Sequence, residues 1–207
     1  MEQFIYLIDD DQAIRCSLSS LLETMGWQTA VYENIVDFQQ KAGEPRELSG
    51  CLLLDIRMPG KSGLAYLEQL RQQGLEIPVI IMTGHGNIEL CRRAFKNGAF
   101  EFLTKPIDAD LLIETVGSAL EHQYILRKEQ QELAELEDKI NKLSAREYEV
   151  TKLIMEGKSS KEIANDLALS PRTVEAHRAR LFAKLDINSS IKLMKIYGGL
   201  FSLERVK

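Results

Sequence analysis

Four carboxylates follow two of the apolar segments in the first half of the chain. Asp9, Asp10 and Asp11 come directly after the run FIYLI, and Asp55 ends the run CLLLD. If these runs are neighbouring parallel strands, the carboxylates meet at one edge of the sheet, where like charges ~4 Å apart repel by about 4 kcal/mol at an effective dielectric of 20. Mg²⁺ relieves such repulsion, taking one or two carboxylates together with water and a phosphoryl oxygen. The pattern therefore indicates phosphoryl transfer at Asp55 beside a bound metal ion.

Two further side chains follow other apolar runs and supply groups that a phosphoryl group needs. Thr83 ends the run PVIIMT, and Lys105 follows FEFLT. The hydroxyl of Thr83 would donate to a phosphoryl oxygen, and the ammonium of Lys105 would neutralise its charge. Each of these residues alone is more often an ordinary strand or surface residue. Their joint placement after four apolar runs is what predicts a site.

The elements that must position these side chains alternate along the first 120 residues. We predict strands at 4–8, 28–32, 51–55, 78–82 and 100–103, and helices near 12–25, 34–42, 63–74, 87–97 and 108–121. Strands that are apolar throughout are typical of a parallel sheet covered by helices on both faces. Such sheets bind ligands at the carboxyl ends of their strands, which is where the candidate residues lie.

The order of these motifs makes residues 1–120 similar to the receiver domain of two-component response regulators. The matching segments are IDDD at 8–11, LLLDIRMPGKSG at 52–63, IIMTGHG at 80–86 and FLTKP at 102–106. The resemblance implies an α/β doubly wound parallel sheet of five strands in the flavodoxin-like order 2-1-3-4-5. It also implies a protein that accepts phosphate from a sensor histidine kinase or a small phosphodonor and is not a conventional enzyme.

The resemblance assigns roles to the residues at the strand ends. Asp55 is expected to accept the phosphoryl group and to be one ligand of Mg²⁺. Asp10 is expected to bind the metal ion directly, Asp9 through water, and Arg57 through its backbone carbonyl. An acid-phosphatase-like enzyme of the haloacid dehalogenase type is a poor alternative, because such enzymes need a second Asp at the position of Arg57.

A switch pair is also implied by the resemblance. The Thr83 hydroxyl would move onto the phosphate while the Phe102 ring turns inward, and Lys105 would contact the remaining phosphoryl oxygens. Many relatives carry Tyr where this chain has Phe102, so readout through a phenolic hydroxyl is not expected here. The Lys105–Pro106 peptide bond is expected to be cis, which positions the lysine.

The segment that follows predicts a helical linker over 121–143. No Pro or Gly occurs between Ala119 and Leu143, and one a/d register is filled by Leu126, Leu133, Leu136, Ile140 and Leu143. This spacing is typical of a helix with coiled-coil character. The alternative is an amphipathic helix that lies on a domain surface.

The rear segment, 144–207, differs from the front in charge and in predicted structure. Its net charge is +4, against −7 for residues 1–120 and −2 for 121–143. Either the surface varies by chance, or the rear module meets a polyanion such as nucleic acid. Capping boxes at Ser144/Glu147 and Ser159/Glu162, a stop at Gly157 and a start at Ser170–Pro171 predict an all-α domain of four helices, near 145–156, 160–167, 171–185 and 189–197.

The second and third of these helices are joined by the short turn Ala168–Leu169–Ser170, as in a helix-turn-helix. On a helical wheel of 171–185, Val174, Leu181 and Leu185 form the apolar stripe. The opposite face carries Arg172, Glu175, Ala176, Ala179 and Ala183, flanked by Arg180. Alanines allow close approach to a surface, and arginines bind phosphates or base edges, although an ordinary solvated face is the alternative.

Residues 143–185 resemble the DNA-binding domain of the LuxR/NarL class, and the two segments together resemble response regulators of the FixJ type. The resemblance implies phosphate contacts by Lys158, Ser160 and Lys161. It places Arg172, Thr173, Glu175 and Ala176 at the DNA groove, with His177, Arg178 and Lys184 flanking or supporting it. Arg180, which flanks the outer face on the helical wheel, is a further expected DNA contact. Glu175 stands where some relatives have Lys, so their base preference does not transfer, and it could accept from cytosine N4.

The resulting prediction is a transcription regulator that forms a homodimer when Asp55 is phosphorylated. Its expected partners are a histidine kinase, double-stranded DNA and RNA polymerase. No run of ~18 uncharged apolar residues and no signal-peptide pattern is found, so neither a membrane partner nor secretion is expected, and the cytoplasm is the predicted location. A phosphorylation-gated module that binds RNA or protein is the alternative, because basic helices bind those partners too.

Overall fold

The computed structural model describes residues 3–43, 48–84, 86 and 88–203. His85 of the motif IIMTGHG and the predicted rear-domain residues 204–207 lie outside these ranges. Within the described residues, the strands are β1 (Phe4–Ile8), β2 (Gln28–Tyr32), β3 (Gly50–Asp55), β4 (Val79–Thr83) and β5 (Glu101–Thr104). The helices of the front segment are α1 (Gln12–Thr24), α2 (Ile35–Lys41), α3 (Gly63–Gln72) and α4 (Ile88–Lys96), followed by α5 (Ala109–Asn141).

The strands form one parallel sheet in the order β2-β1-β3-β4-β5, which confirms the predicted topology. Every residue of the central strand β3 is buried, because helices cover the sheet on both sides. Alternate residues of β1 point to opposite faces: Ile5 and Leu7 belong to one apolar cluster, while Tyr6 and Ile8 belong to the other. This double-sided core fixes the register of the strands, and thereby the positions of the residues that follow them.

The predicted helix near 108–121 and the helical linker predicted over 121–143 form a single continuous helix, α5. The chain divides into two compact units between Arg127 and Lys128, within the segment predicted as the linker. The boundaries proposed from the sequence, 1–120, 121–143 and 144–207, remain a prediction. In the second unit, Leu136, Ile140 and Leu143 pack against the rear apolar cluster, so part of the proposed coiled-coil stripe covers its own domain.

The second unit continues with α6 (Ala145–Met155), α7 (Ser160–Asp166), α8 (Pro171–Leu185) and α9 (Ser190–Leu203). Both predicted capping boxes are present, at Ser144 before α6 and at Ser159 before α7, and Ser170 caps α8. The last helix is longer than the predicted 189–197. Ile191 and Met194 on this helix are exposed, while Leu193 and Tyr197 are buried in the core. No helix among the described residues is long and apolar enough to span a membrane.

Candidate functional site

The carboxyl ends of β1 and β3 lie side by side and bring two buried carboxylates together. Asp9 follows β1 and is fully buried, and Asp55 is the last residue of β3 and is almost fully buried. The ammonium of Lys105, which follows β5, lies 2.6 Å from Asp9 Oδ2 and 2.7 Å from Asp55 Oδ1. The sheet therefore assembles three of the predicted site residues into one ionic cluster.

Further hydrogen bonds hold Asp9 and Asp55 in place, two from backbone N–H groups and one from an arginine side chain. Asp55 Oδ2 accepts from the backbone N–H of Arg57 at 2.6 Å, and Asp9 Oδ1 accepts from the N–H of Asp11 at 3.0 Å. The guanidinium of Arg15 donates to the backbone carbonyl of Asp9 at 2.5 Å. Our sequence analysis missed Arg15, although its place one helical turn after Asp11 could have indicated that it faces the strand end.

The three consecutive aspartates lie in different environments. The Asp9 carboxylate is buried against Lys105, whereas Asp10 is exposed to solvent. Asp11 is the N-cap of α1, and its side chain accepts from the backbone N–H of Ala13 at 2.8 Å. An aspartate that caps a helix is already committed to a structural role, so Asp10 is the more available metal ligand of these two.

The cluster holds two buried carboxyl groups, Asp9 and Asp55, against one ammonium group. Burial raises the pKa of Asp55 above its ordinary value, and the hydrogen bond from Lys105 opposes this rise without cancelling it. Burial lowers the pKa of Lys105, but hydrogen bonds to Asp55 and Asp9 outweigh burial, so the pKa of Lys105 is raised overall. Lys105 is therefore protonated at neutral pH, and its one ammonium lies between the carboxyl groups of Asp9 and Asp55, with Asp10 exposed at the same strand end.

This chemistry fits a hard cation. Among the described residues, no group of three or more His, Cys, Asp and Glu side chains has the spacing of a complete metal site. Mg²⁺ does not need one, because it takes one or two carboxylates and completes its shell with carbonyl oxygens and water. The oxygens of Asp10 and Asp55 and the backbone carbonyl of Arg57 are the groups at this edge that could hold it.

The predicted switch residues end β4 and occupy β5. Thr83 is fully buried, and its backbone carbonyl accepts from the N–H of Lys105 at 2.8 Å. Phe102 is half-buried and packs against the apolar cluster on one face of the sheet. The Lys105–Pro106 bond is cis, as predicted.

A glycine in the phosphoacceptor motif has a role that the sequence analysis missed. A Cβ atom on Gly63 would lie 2.2 Å from the backbone oxygen of Asp55. The first turn of α3 therefore approaches the end of β3 as closely as a glycine allows. The sequence contained a signal for this role, because glycine is a poor helix former and yet stands at the start of a predicted helix.

In the rear unit, the predicted outer face of α8 is confirmed. Val174, Leu181 and Leu185 are buried. The exposed residues are those placed opposite them on the wheel: Arg172, Glu175, Ala176, Ala179, Arg180 and Ala183. Thr173 and His177 are half-buried beside this face. The helix therefore presents a surface of small and charged side chains, as a helix that enters a DNA groove requires.

The predicted DNA-contacting cations fall into two groups. Lys158 is engaged by Asp166 at 2.7 Å and by Glu156 at 3.2 Å. Arg180 donates to the Ala176 carbonyl at 3.2 Å. In contrast, Lys161 and Arg172 are exposed and have no hydrogen-bond or ion-pair partner within the described part of the chain.

Lys184 also has a protein partner, the buried carboxylate of Glu147. Its ammonium lies 2.6 Å from Glu147 Oε2 and also donates to the Lys142 carbonyl at 3.1 Å. Burial raises the pKa of Glu147, but hydrogen bonds from Lys184 and Ser144 outweigh it and lower the pKa to about 2. The pair therefore joins the C-terminal part of α8 to the capping box of α6.

Arg178 is also held by contacts within the rear unit. Its guanidinium donates to Ser190 Oγ at 2.9 Å and lies 5.6 Å from the centre of the Phe182 ring. Its Nε is 3.9 Å from Glu175 Oε2. Arg178 thus ties the outer face of α8 to the start of α9, which is a supporting position.

Comparison with known proteins assigns both units. Residues 5–117 match the response regulator receiver domain, and residues 141–197 match the bacterial regulatory proteins of the LuxR family. The chain belongs to the response-regulator family. As a response regulator with a LuxR-type DNA-binding domain, it regulates transcription in a two-component system. The family also implies a sensor kinase and DNA as partners.

Two relatives match this response regulator along nearly its whole length, and a third matches a part of it as a receiver domain. The transcriptional regulatory protein FixJ of Azorhizobium caulinodans is 38% identical over 93% of this chain and 90% of its own length. The low-resolution structure of the response regulator StyR superposes with a TM-score of 0.88 at 32% identity, covering 96% of this chain and all of that one. The beryllofluoride-activated NtrC4 receiver domain dimer matches 58% of this chain and 98% of its own at 28% identity, with a TM-score of 0.54.

Proposed function

We propose that Asp55 is the phosphoacceptor of this response regulator. The observation that carries the proposal is the cluster at the sheet edge, where the buried Asp55 carboxylate lies 2.7 Å from the Lys105 ammonium and beside Asp9. A carboxylate oxygen of Asp55 would attack the phosphorus of a phosphohistidine. The new P–O bond forms as the P–N bond breaks, and the departing imidazole nitrogen takes the electron pair and then a proton.

The residues around Asp55 would each support this transfer. The N–H of Arg57 and the ammonium of Lys105 bind different oxygens of the carboxylate, which fixes the direction in which the carboxylate presents itself. Lys105 also provides a cation for a phosphoryl oxygen. Asp10, Asp55 and the Arg57 carbonyl would hold Mg²⁺ directly and Asp9 would hold it through water, and the ion when bound would neutralise the charge of the phosphoryl group.

Phosphorylation would then reach the rest of the receiver through Thr83 and Phe102. The Thr83 hydroxyl would donate to the phosphate, and the half-buried Phe102 ring would turn into the space that Thr83 leaves. The beryllofluoride-activated receiver domain of the relative NtrC4 is a dimer. By analogy, we propose that the changed surface of this receiver favours a homodimer that places two rear domains on neighbouring half-sites.

On DNA, α8 would enter the major groove with Arg172, Thr173, Glu175 and Ala176 at the base edges. Lys161 would bind phosphate near the start of α7, and Lys158, Ser160, His177 and Arg180 would add contacts at the rim. Arg178 and Lys184 would support the reading helix through their protein partners. Because a transcription regulator acts where promoters are transcribed, we place the protein in the cytoplasm, with RNA polymerase as a further partner.

The phosphoacceptor is tested with the full chain, a small phosphodonor and Mg²⁺. We expect one acid-labile phosphate per chain in the wild type and none in Asp55→Asn, because an amide oxygen is a poor nucleophile. Asp11→Asn is the matched control, since Asp11 caps a helix and is not expected to be phosphorylated. Undiminished labelling of Asp55→Asn would refute the assignment.

A further inference from the structure

Gly86 lies in the connection between β4 and α4, three residues after Thr83. A Cβ atom at this position would lie 2.7 Å from Thr104 Cγ2 and 3.2 Å from Phe102 Cε1. Carbon atoms in ordinary contact are ~3.5–4.0 Å apart, so a larger residue would displace one or both of these side chains. The requirement for glycine is steric, because the φ angle of Gly86 is outside the left-handed region.

Gly84 in the same connection provides an internal comparison. It also has a φ angle outside the left-handed region, but a Cβ atom there would meet nothing within 4 Å. The close approach is therefore specific to Gly86, and it involves the ring that we assign to the switch pair.

We propose that Gly86 is a positioning residue that permits the half-buried position of the Phe102 ring. The missing side chain allows Gly86 to lie directly against the ring, so a movement of the ring is coupled to the position of Gly86. This inference rests on the switch role of Phe102 given under Proposed function. It adds a steric contact between the Phe102 ring and Gly86, which stands three residues after Thr83 in the chain.

The contact at Gly86 predicts which way the Phe102 ring moves when residue 86 carries a side chain. Alanine at position 86 occupies space that the Phe102 ring and the Thr104 methyl group now use, and the alternative place for the ring is the inward one. We therefore expect Gly86→Ala to raise the equilibrium constant for the inward position by about fivefold, as expected for a side chain forced from its preferred rotamer. Gly84→Ala should leave this equilibrium unchanged.

The ring position can be measured directly by ¹⁹F NMR of the full chain labelled with fluorophenylalanine. The chain has 7 Phe residues, and Phe102→Leu identifies the resonance of Phe102. In unphosphorylated Gly86→Ala we expect this resonance to move toward its position in the wild type treated with beryllofluoride and Mg²⁺. A resonance that stays at the wild-type position, or moves the other way, would overturn the proposal.

Thr104→Ser separates the two contacts, because it removes Cγ2 and keeps the hydroxyl. If the Phe102 contact matters, Gly86→Ala should still shift the resonance in the Thr104→Ser background. Loss of the shift in that background would show that Thr104 alone requires glycine, and the link to Phe102 would be rejected.

A double-mutant cycle keeps the proposal testable if Gly86→Ala unfolds too easily for NMR. Urea denaturation should show that Gly86→Ala destabilises the wild type more than it destabilises Phe102→Leu, which lacks the contacting ring atom. Equal costs in both backgrounds would refute the contact. If beryllofluoride fails to move the Phe102 resonance in the wild type, the proposed switch fails, while the cycle still decides whether Gly86 positions the ring.

Discussion

The cation at the receiver site and the exposed cations on the rear unit are arranged in opposite ways. In the receiver, Lys105 is largely buried between Asp9 and Asp55, and its charge is fixed before any ligand arrives. In the rear unit, Lys161 and Arg172 are exposed without protein partners in the described residues. The difference follows from the ligands: a phosphoryl group is small and fits a preorganised pocket, whereas DNA is a large surface that exposed cations must reach.

The rear unit also contains a lysine that is paired with a buried carboxylate, as Lys105 is in the receiver. Lys184 binds the buried carboxylate of Glu147 in the same manner as Lys105 binds Asp9. We therefore expect the cations of this protein to divide by their partners. Those held by buried carboxylates should affect stability, and those without partners should affect DNA binding.

The largest effect is expected at Lys105. Lys105→Ala leaves the buried Asp9 and Asp55 without their cation and should lower the free energy of unfolding by about 3–5 kcal/mol at pH 7. The loss should shrink as the pH falls, because the carboxylates then become protonated. Urea denaturation at pH 7 and pH 5 measures both effects.

Asp55→Asn is the matched control for Lys105→Ala. Because burial raises the pKa of Asp55, its charged form is less favourable in the folded protein than in the unfolded chain, and removing the charge should not destabilise the fold. If Asp55→Asn lowered the free energy of unfolding as much as Lys105→Ala does, Lys105 would not be needed to balance buried carboxylates, and this prediction would be wrong.

DNA reading should depend on the unpartnered Arg172. Arg172→Ala is expected to cost about 1–3 kcal/mol on the true operator and less on random DNA. Lys161→Ala should weaken binding to operator and to random DNA equally, and should reduce the salt dependence of binding by about one phosphate contact. Fluorescence anisotropy with both DNAs over a range of salt tests this, and an unchanged operator-to-random ratio in Arg172→Ala would exclude α8 as the reader.

Glu147 should affect stability and not base reading. Its pKa of about 2 lies below the ordinary value, so its carboxylate stabilises the fold above the unfolded-state pKa, and this contribution is lost as the pH falls toward about 2. Glu147→Gln should cost about 1–2 kcal/mol at pH 7, a moderate value because Lys184 is partly exposed. Thermal melts of the two proteins should converge in acid; a pH-independent difference would contradict the ion pair.

The smallest predicted effect concerns the turn between α7 and α8. Ala168 has a φ of 51°, a left-handed conformation that glycine adopts without a Cβ penalty. Ala168→Gly should stabilise the protein by about 0.5–1 kcal/mol, seen as a higher melting temperature. The matched control is Ala179→Gly on the exposed face of α8, where the same substitution in a helix should cost about 1 kcal/mol. A loss of similar size at both positions would contradict the predicted strain at Ala168.

The elements with strong local signals were predictable from the sequence. The apolar strands determine the sheet, and both capping boxes lie where Ser and Glu are three residues apart. The placement of Asp9, Asp55 and Lys105 followed because parallel strands end at one edge. The division of labour among the aspartates was not predictable by spacing alone, since Asp11 resembles Asp10 until a helix begins beside it.

The engaged and free cations were also indistinguishable in the sequence. Lys184 and Lys161 have the same side chain, and only the packing of α6 against α8 brings Glu147 to one of them. The sequence predicted helix on both sides of residue 121, and the structure joins the two predicted segments into one helix. No residue near 121 interrupts the helix, so the proposed linker begins without a structural break.

The most direct test of the account is sedimentation of the full chain with and without beryllofluoride and Mg²⁺. We predict that the wild type shifts from monomer to dimer at micromolar concentration, and that Asp55→Asn stays monomeric under both conditions. Binding to operator DNA should rise with the same dependence on Asp55. An unchanged mass for the wild type, or an equal shift for Asp55→Asn, would contradict the claim that phosphorylation of Asp55 drives assembly on DNA.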